Sequence, residues 1–337
     1  MSTRDSDPPP PSGVGSLLSR RLLFVTGKGG VGKSTVAAAL GMLGARHGRR
    51  TLVAEVAGRG DVPRALGGSG PSSAAQEIEI APGLHWTTIE PQQAMEEYLT
   101  DQLPVRALAE LLASSRIFGY LAAATPGMRE LLTVGKLWEL AQPERRRSDA
   151  EPYDLVVVDA PATGHGLAYL AAPRTFARVA RVGPIARQGL TIHEMLADPK
   201  RTGVVAVTTA AEMPVTEALW LHRQLPEQMG LCLDRVVVNR LIPERFSTAE
   251  ADRLAHSLRR SGSAQARPHG DGDDDRKRQI ALRAGLSQHQ RVREERRQLG
   301  RLTRATGRSP ATLGLLYRAQ LQAPDVARLA DRLERVL

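Results

Sequence analysis

The chain contains very little cysteine and no long uncharged apolar run. Its 337 residues include one cysteine, Cys232, which excludes an internal disulfide and a zinc site built on several thiolates. Residues 105–124 come closest to a membrane span, which needs ~18 uncharged apolar residues, but three charged side chains interrupt them. Met1–Ser16 is polar and lacks the apolar core of a signal peptide. Together these absences predict a cytoplasmic protein.

Lysine is also scarce, and its distribution singles out one loop. Of the 46 basic side chains, five are lysine, namely Lys28, Lys33, Lys136, Lys200 and Lys277. Two of the five, Lys28 and Lys33, lie in a single glycine-rich loop. Because a compact ammonium and the planar fork of arginine are not interchangeable, this distribution indicates a site that requires a point charge.

That loop, residues 27–35, fits the pattern of a phosphate-binding loop. Its predicted nucleotide-binding residues are Gly27, Lys28, Gly29, Gly30, Val31, Gly32, Lys33, Ser34 and Thr35. Glycines allow backbone N–H groups to approach phosphate oxygens closely. We expect Lys33 to reach the β- and γ-phosphates of ATP and Ser34 to hold Mg²⁺. An apolar strand precedes the loop and an Ala-rich helix follows it, which is the order that the motif requires.

A second nucleotide motif follows later in the chain. The apolar run Leu155–Val158 ends in Asp159, which is the arrangement that places a carboxylate near Mg²⁺ in P-loop enzymes. A carboxylate after a buried strand also serves to cap a helix. The phosphate-binding loop upstream favours the metal site, so Ser34 and Asp159 are the predicted metal ligands.

The order of elements predicts an α/β fold with a doubly wound, mostly parallel sheet. Strand candidates lie at 22–26, 51–55, 85–89, 155–159, 203–208 and 235–239 and alternate with helices. We predict a disordered tail over 1–18 and one ATPase domain over 19–337. Helical stretches at about 92–142 and 166–197 are expected to form a subdomain above the carboxyl edge of the sheet. Residues 261–276 are predicted to form a flexible acidic loop.

The formal charge of +10 is compatible with nucleic-acid binding. The arginines are scattered along the chain and do not gather into one stripe, so nucleic acid is not the favoured partner. A DNA-associated partition-type ATPase stays open as an alternative, supported by the charge and by Lys28.

The chain resembles the ArsA family of ATPases. The resemblance is carried by Gly27–Thr35, Ile89–Pro91, Pro126–Gly127 with Glu130, Asp159–His165, Asp198–Pro199 and Val237–Arg240. It implies an ATP-hydrolysing dimer, either a homodimer or a heterodimer with a paralogue, that acts on a client or membrane partner. It further implies that Lys28 reaches the phosphates bound by the facing subunit, that 159–165 forms switch II, and that Asn239 reads the adenine through its carboxamide.

The chain departs from the family pattern at switch I. Aligned from Gly48, Ala57 stands where the family usually has an aspartate that helps to activate the hydrolytic water. Glu55 and Asp61 flank this position and are the candidate substitutes. The alternative is a nucleotide-binding subunit that hydrolyses ATP only weakly. With one cysteine, an arsenite site made of several thiolates is also disfavoured.

Overall fold

The structure, a computed structural model, describes residues 13–56, 60–68, 76–102, 127–146, 150–180, 184–263 and 272–337. Its strands are β1 (Leu22–Gly27), β2 (Thr51–Val56), β3 (Ile78–Ala81), β4 (Leu84–Ile89), β5 (Leu155–Ala162), β6 (Thr202–Thr209), β7 (Arg235–Leu241) and β8 (Ala311–Gly314). They form one sheet in the order β3-β4-β2-β5-β1-β6-β7-β8. All neighbouring pairs are parallel except β3 with β4. The predicted α/β class with a mostly parallel sheet is confirmed.

Helices cover both faces of this sheet. They are α1 (Val14–Leu18), α2 (Lys33–Arg46), α3 (Asp61–Ala65), α4 (Pro91–Gln102), α5 (Met128–Leu140), α6 (Thr163–Ala180), α7 (Pro184–Ala197), α8 (Glu212–Met229), α9 (Thr248–Ser263), α10 (Gly272–Thr306) and α11 (Ala323–Val336). Alternate residues of β1 show the layering: Leu22 and Phe24 face the core under α5–α8, and Leu23 and Val25 face the core under α2 and α11. Among the helices described, none is long and apolar enough to cross a membrane.

Strand β1 occupies the centre of the sheet, and this position determines where a ligand binds. Its two neighbours are β5 and β6, so the loop that leaves β1 lies between the carboxyl ends of two other parallel strands. Ligands of doubly wound sheets bind at this edge, beside a point where the strand order reverses. Residues 27–35 and Asp159 therefore lie on the same edge of the fold.

Two strands were not expected from the sequence. Strand β3 pairs antiparallel with β4 and is only half-buried, while β8 is four residues long and closes the other edge. Both are short edge strands, whose burial signal is weak because one side of each lacks a neighbouring strand. The other strands lie where the sequence predicts them, with ends that differ by at most three residues.

The boundaries of two predicted irregular segments are wrong. Within the predicted tail 1–18, residues 14–18 form α1, since Leu17 and Leu18 are buried in the core under α2. Within the predicted acidic loop 261–276, α9 continues to Ser263 and α10 begins at Gly272. Three aspartates in the first turn of α10 favour the helix there, because carboxylates stabilise a helix N-terminus. Residues 1–12 and 264–271 lie outside the described residues.

A buried ionic cluster connects the helices near β3 to the sheet. Arg145, whose side chain is 1% exposed, donates to Glu77 at 2.7 Å and to Glu139 at 2.9 Å. Lys136 joins α5 to α4 through Glu97 at 2.7 Å and also pairs with Glu139. Helices α4, α5, α6 and α7 pack against one another in sequence order. Residues 103–126 of the predicted helical subdomain lie outside the described part, so the subdomain stays a prediction.

Candidate nucleotide site

The loop after β1 has a backbone that only glycine adopts readily at several positions. Gly30 has a φ of 81° and Gly32 a φ of 94°, both in the region that side chains disfavour. At Gly27 a Cβ atom would lie 1.9 Å from the carbonyl oxygen of Val207, so no side chain fits there. The glycine spacing of the motif thus follows from the path of the chain, which turns tightly between β1 and α2.

Helix α2 begins at Lys33, directly after the loop, so its N-terminus faces the same space. The unpaired N–H groups of a helix N-terminus attract anions. The Lys33 ammonium lies over the loop and donates to the carbonyl oxygen of Lys28 at 3.3 Å. Ser34 and Thr35 follow in the first turn and line the same cleft. Val31 is buried in the core under α2 and α11.

Asp159, on β5, is the metal ligand that the sequence predicts, and its surroundings fit that role. Its carboxylate is buried, and burial raises its pKa to about 6, although a hydrogen bond from Ser34 and the charge of Lys33 oppose this rise. The Oδ1 atom of Asp159 is buried without a hydrogen-bond partner. Carboxylate and hydroxyl oxygens are the ligands that Mg²⁺ prefers. The donor set of Ser34 and Asp159 therefore suits a magnesium ion.

These groups line one cleft of about 580 Å³. Its lining includes Gly29, Gly30, Gly32, Lys33, Ser34, Thr35, Glu55, Asp61, Arg64, Asp159, Arg240 and residues 319–321. The volume lies in the range of small-molecule sites. The cleft combines glycine-loop N–H groups, one cis lysine and a buried carboxylate, which is the donor set that a nucleoside triphosphate with its metal requires.

The two candidate substitutes for the switch I aspartate differ in their contacts. Glu55 is buried, and both of its carboxylate oxygens accept backbone hydrogen bonds, from Gly60 N at 2.9 Å and Val62 N at 2.6 Å. Burial raises the pKa of Glu55, and these two hydrogen bonds oppose the rise. Asp61 is more exposed and pairs with Arg64 at 2.6 Å. Glu55 thus holds the chain at 60–62, whereas Asp61 presents a carboxylate to the cleft.

Three further predictions concern Lys28, Asn239 and the residues of the switches. Lys28 lies 3.4 Å from Glu217 of α8 in an ion pair within the chain. Asn239 is buried at the end of β7, where its Nδ2 donates to the carbonyl oxygen of Val31 at 2.9 Å. Its contact with adenine stays a prediction.

Ala57, the switch I position, lies outside the described residues. The predicted switch II, residues 159–165, divides between the end of β5 and the start of α6.

Sequence reasoning missed Arg240 as a site residue, although it lies beside Asn239. Its Nη1 donates to the carbonyl oxygen of Gly30 at 2.9 Å, and its side chain lines the cleft. Its φ of 61° is the one positive value found for a non-glycine residue in the described ranges. Strained backbone of this kind is concentrated at functional sites. No local sequence pattern could have indicated the contact, because the two residues are far apart in the chain.

The fold and this cleft together define a P-loop nucleoside triphosphatase. Residues 20–188 and 185–259 match the family described as anion-transporting ATPase. The chain belongs to this family, the ArsA ATPases, and it is an ATP hydrolase.

Relatives support the same assignment over most of the chain. The ATPase BagA of Mycobacterium tuberculosis is 31% identical over 240 residues, which cover 70% of this chain and 69% of that protein. The arsenical pump-driving ATPase of Acidiphilium multivorum is 26% identical over 70% of this chain and 42% of its own length. The ATPase GET3C of Arabidopsis thaliana is 23% identical, with 73% and 72% covered.

Proposed function

We propose that this chain is an Mg²⁺-dependent ATPase that works as a nucleotide-switched dimer and drives a partner or client. The observation that carries the proposal is the single cleft in which Lys33, Ser34 and Asp159 converge. The proposal keeps the cytoplasmic location predicted from the sequence. It includes a homodimer or a heterodimer with a paralogue, and it does not include nucleic acid as a partner.

The polar groups of the cleft have different roles in the proposed reaction. The N–H groups of the glycine loop and of the start of α2 bind phosphate oxygens, and Lys33 neutralises charge on the β- and γ-phosphates. Ser34 and Asp159 would hold Mg²⁺, which when bound neutralises the charge that develops on the transferred phosphoryl group. Asp61 is the carboxylate available to orient the attacking water, while Glu55 fixes the loop that carries it.

Lys28 supports the dimer half of the proposal. One lysine suffices for the nucleotide in cis, and Lys33 fills that role. The Lys28 side chain is more than a third exposed and pairs with a residue of α8. A lysine in that position is accessible to the phosphates of a facing subunit. Release of the dimer after hydrolysis would then act as the switch.

A weakly hydrolysing subunit of a heteromeric complex is the second candidate. The observation that favours it is the occupation of both Glu55 oxygens by backbone donors, together with alanine at position 57. Such a subunit would bind Mg-ATP with the same residues and gain turnover only when a paralogue supplies the missing carboxylate. Steady-state turnover of the purified chain, alone and with candidate paralogues, distinguishes the two candidates.

Binding of Mg-ATP is tested by thermal unfolding with and without nucleotide. At a hundredfold excess over the dissociation constant, ligand binding stabilises the native state by ~2.7 kcal/mol. We expect this gain in the wild type and in the control Lys200→Ala, whose lysine lies in a cavity at the opposite edge of the sheet. Lys33→Ala should lose it. An equal gain in Lys33→Ala would refute the assignment of the site.

A further inference from the structure

The end of β7 holds the phosphate-binding loop through two side chains, those of Asn239 and Arg240. Asn239 Nδ2 donates to the carbonyl oxygen of Val31, and Arg240 Nη1 donates to the carbonyl oxygen of Gly30, each at 2.9 Å. The other end of the Asn239 carboxamide accepts a hydrogen bond from the Arg240 backbone N–H at 2.9 Å. Two consecutive carbonyl groups of the loop are thus bound by two consecutive residues of one strand end.

Peptide geometry links these contacts to the anion site. A trans peptide is planar, so its C=O and the N–H of the next residue point in opposite directions. When Arg240 holds the Gly30 carbonyl, the Val31 N–H is turned to the opposite side. When Asn239 holds the Val31 carbonyl, the Gly32 N–H is turned in the same way. Successive backbone N–H groups of this kind form the concave nest that binds phosphate.

The fit between the strand end and the loop is close on both sides. A Cβ atom at Gly32 would lie 2.4 Å from Asn239 Nδ2, so glycine is required for the contact. Asn239 is 6% exposed, which leaves little of its side chain for a base. Arg240 adopts a left-handed backbone with a φ of 61°, a conformation that glycine adopts freely and arginine does not. The strained backbone therefore occurs at the residue whose guanidinium binds the loop.

We propose that Asn239 and Arg240 are positioning residues that keep the phosphate loop in its anion-binding shape before the nucleotide arrives. The inference rests on the proposed Mg-ATP site and gives these two residues a part in binding the phosphates. It differs from the adenine contact that family resemblance implies for Asn239, and the two roles have different consequences for a ligand without a base.

The test compares Mg-tripolyphosphate, which has no base or ribose, with Mg-ATP by isothermal titration calorimetry. The variants are Asn239→Ala and Arg240→Gly, with Arg240→Lys as the conservative variant and Arg297→Ala, on the exposed side of α10, as the control. We expect Asn239→Ala and Arg240→Gly each to weaken both ligands by a similar factor, roughly tenfold for one lost hydrogen bond to the loop. Arg240→Lys should keep part of the wild-type affinity for both ligands, and Arg297→Ala should keep all of it.

Two further measurements separate positioning from other causes. Thermal unfolding without ligand checks folding, and Arg240→Gly should be at least as stable as the wild type because glycine relieves the left-handed strain. Titration at low and at high salt separates two effects of Arg240, its hydrogen bond to the loop and the attraction between its charge and the phosphates. Salt screens the long-range attraction much more than the hydrogen bond. A loss for Arg240→Gly that persists at high salt supports positioning, and a loss that disappears there assigns Arg240 to attraction alone.

The inference is overturned if both variants bind tripolyphosphate as the wild type does, or if Asn239→Ala weakens ATP alone, which is the signature of adenine reading. If the wild type itself binds neither ligand, the proposed Mg-ATP site fails instead. The failure of the site and the failure of the positioning role are therefore distinguishable in the same experiment.

Discussion

Lys28 and Glu217 form an ion pair in which Nζ and Oε2 are 3.4 Å apart. Lys28 belongs to the phosphate loop and Glu217 to α8, so the lysine proposed to act on a facing subunit is held within its own chain. Exposed pairs of this kind contribute about 0–1 kcal/mol. The pair is therefore a resting contact that a phosphate of higher charge is able to replace.

The first prediction follows from that replacement. Glu217→Gln should strengthen dimerisation with a non-hydrolysable ATP analogue by up to about fivefold, because the resting pair no longer competes. Lys28→Ala should bind Mg-ATP but fail to dimerise. Sedimentation velocity measures both. If Glu217→Gln loses the dimer as Lys28→Ala does, Glu217 orients the lysine rather than competing for it.

The second prediction concerns the buried, unpartnered oxygen of Asp159. Asp159→Asn should raise the stability of the nucleotide-free protein by about 1–3 kcal/mol, because it removes a buried charge whose Oδ1 atom has no hydrogen-bond partner. The same variant should lose the Mg-ATP-dependent gain in stability and nearly all turnover. Urea unfolding at pH 7 gives the first result and thermal shift the second.

Asp325 supplies the matched control for this variant. It is equally buried, but its carboxylate accepts the Gln322 N–H in a capping box at the start of α11. The amide oxygen of Asp325→Asn still accepts this hydrogen bond, so the variant should lose only the favourable charge at the helix N-terminus, about 0.3–1 kcal/mol, and leave turnover unchanged. Equal losses of stability in the two variants would mean that the Asp159 carboxylate is satisfied without a metal.

The third prediction separates the two switch I carboxylates. Asp61→Asn should slow single-turnover hydrolysis by ~10²-fold, within the range of a lost general base, with little change in ATP affinity. Glu55→Gln should reduce both affinity and thermal stability, since an amide cannot accept both backbone N–H groups. The control away from the cleft is Glu79→Gln. Glu79 lies on β3, and its carboxylate accepts a hydrogen bond from the backbone N–H of Gly83.

Position 57 completes this test. If the hydrolytic water lacks the carboxylate that the family has at this position, Ala57→Asp should raise the basal rate of ATP hydrolysis. The increase should appear both in the wild-type background and in Asp61→Asn. Fast wild-type turnover that neither Asp61→Asn nor Glu55→Gln affects would assign water activation to another group, such as one supplied by a partner subunit.

The fourth prediction uses the buried Arg145 cluster. Burial alone would raise the pKa of Glu77 and of Glu139, but hydrogen bonds and charges outweigh it and lower both. Arg145 and Lys136 act on both carboxylates, and Tyr153 adds a hydrogen bond to Glu77. A lowered folded-state pKa contributes stability above the unfolded value of 4.5 that is lost as the pH falls further. Arg145→Met should therefore cost about 3–5 kcal/mol at neutral pH, and this cost should shrink as the pH falls below 4.5.

Urea unfolding of the wild type and Arg145→Met from pH 7 to pH 3.5 measures this cost. Arg297→Met, which removes an exposed arginine of α10, should show no such dependence. A cost that stays constant over this range would attribute the effect of Arg145 to its packing alone.

Local patterns indicated the core of the site, and long-range contacts did not follow from them. The glycine spacing at 27–32 and the apolar run before Asp159 predict the loop and the carboxylate because each is set by neighbours in sequence. The contacts of Arg240 with Gly30 and of Glu217 with Lys28 depend on where the sheet and α8 place β7 and Glu217 relative to the loop after β1. The edge strands β3 and β8 were missed because half-exposed short strands lack a clear apolar run.

The central place of β1 also bears on how the protein is made. The loop residues 27–35 are translated before the strands that flank β1, which lie at 155–162 and 202–209. Pairing across such long separations is slow because the intervening chain must be ordered first. A nascent chain that ends before Leu155 holds the glycine loop without either neighbouring strand. We therefore expect nucleotide capture to wait until at least β5 has been translated, long after the loop itself.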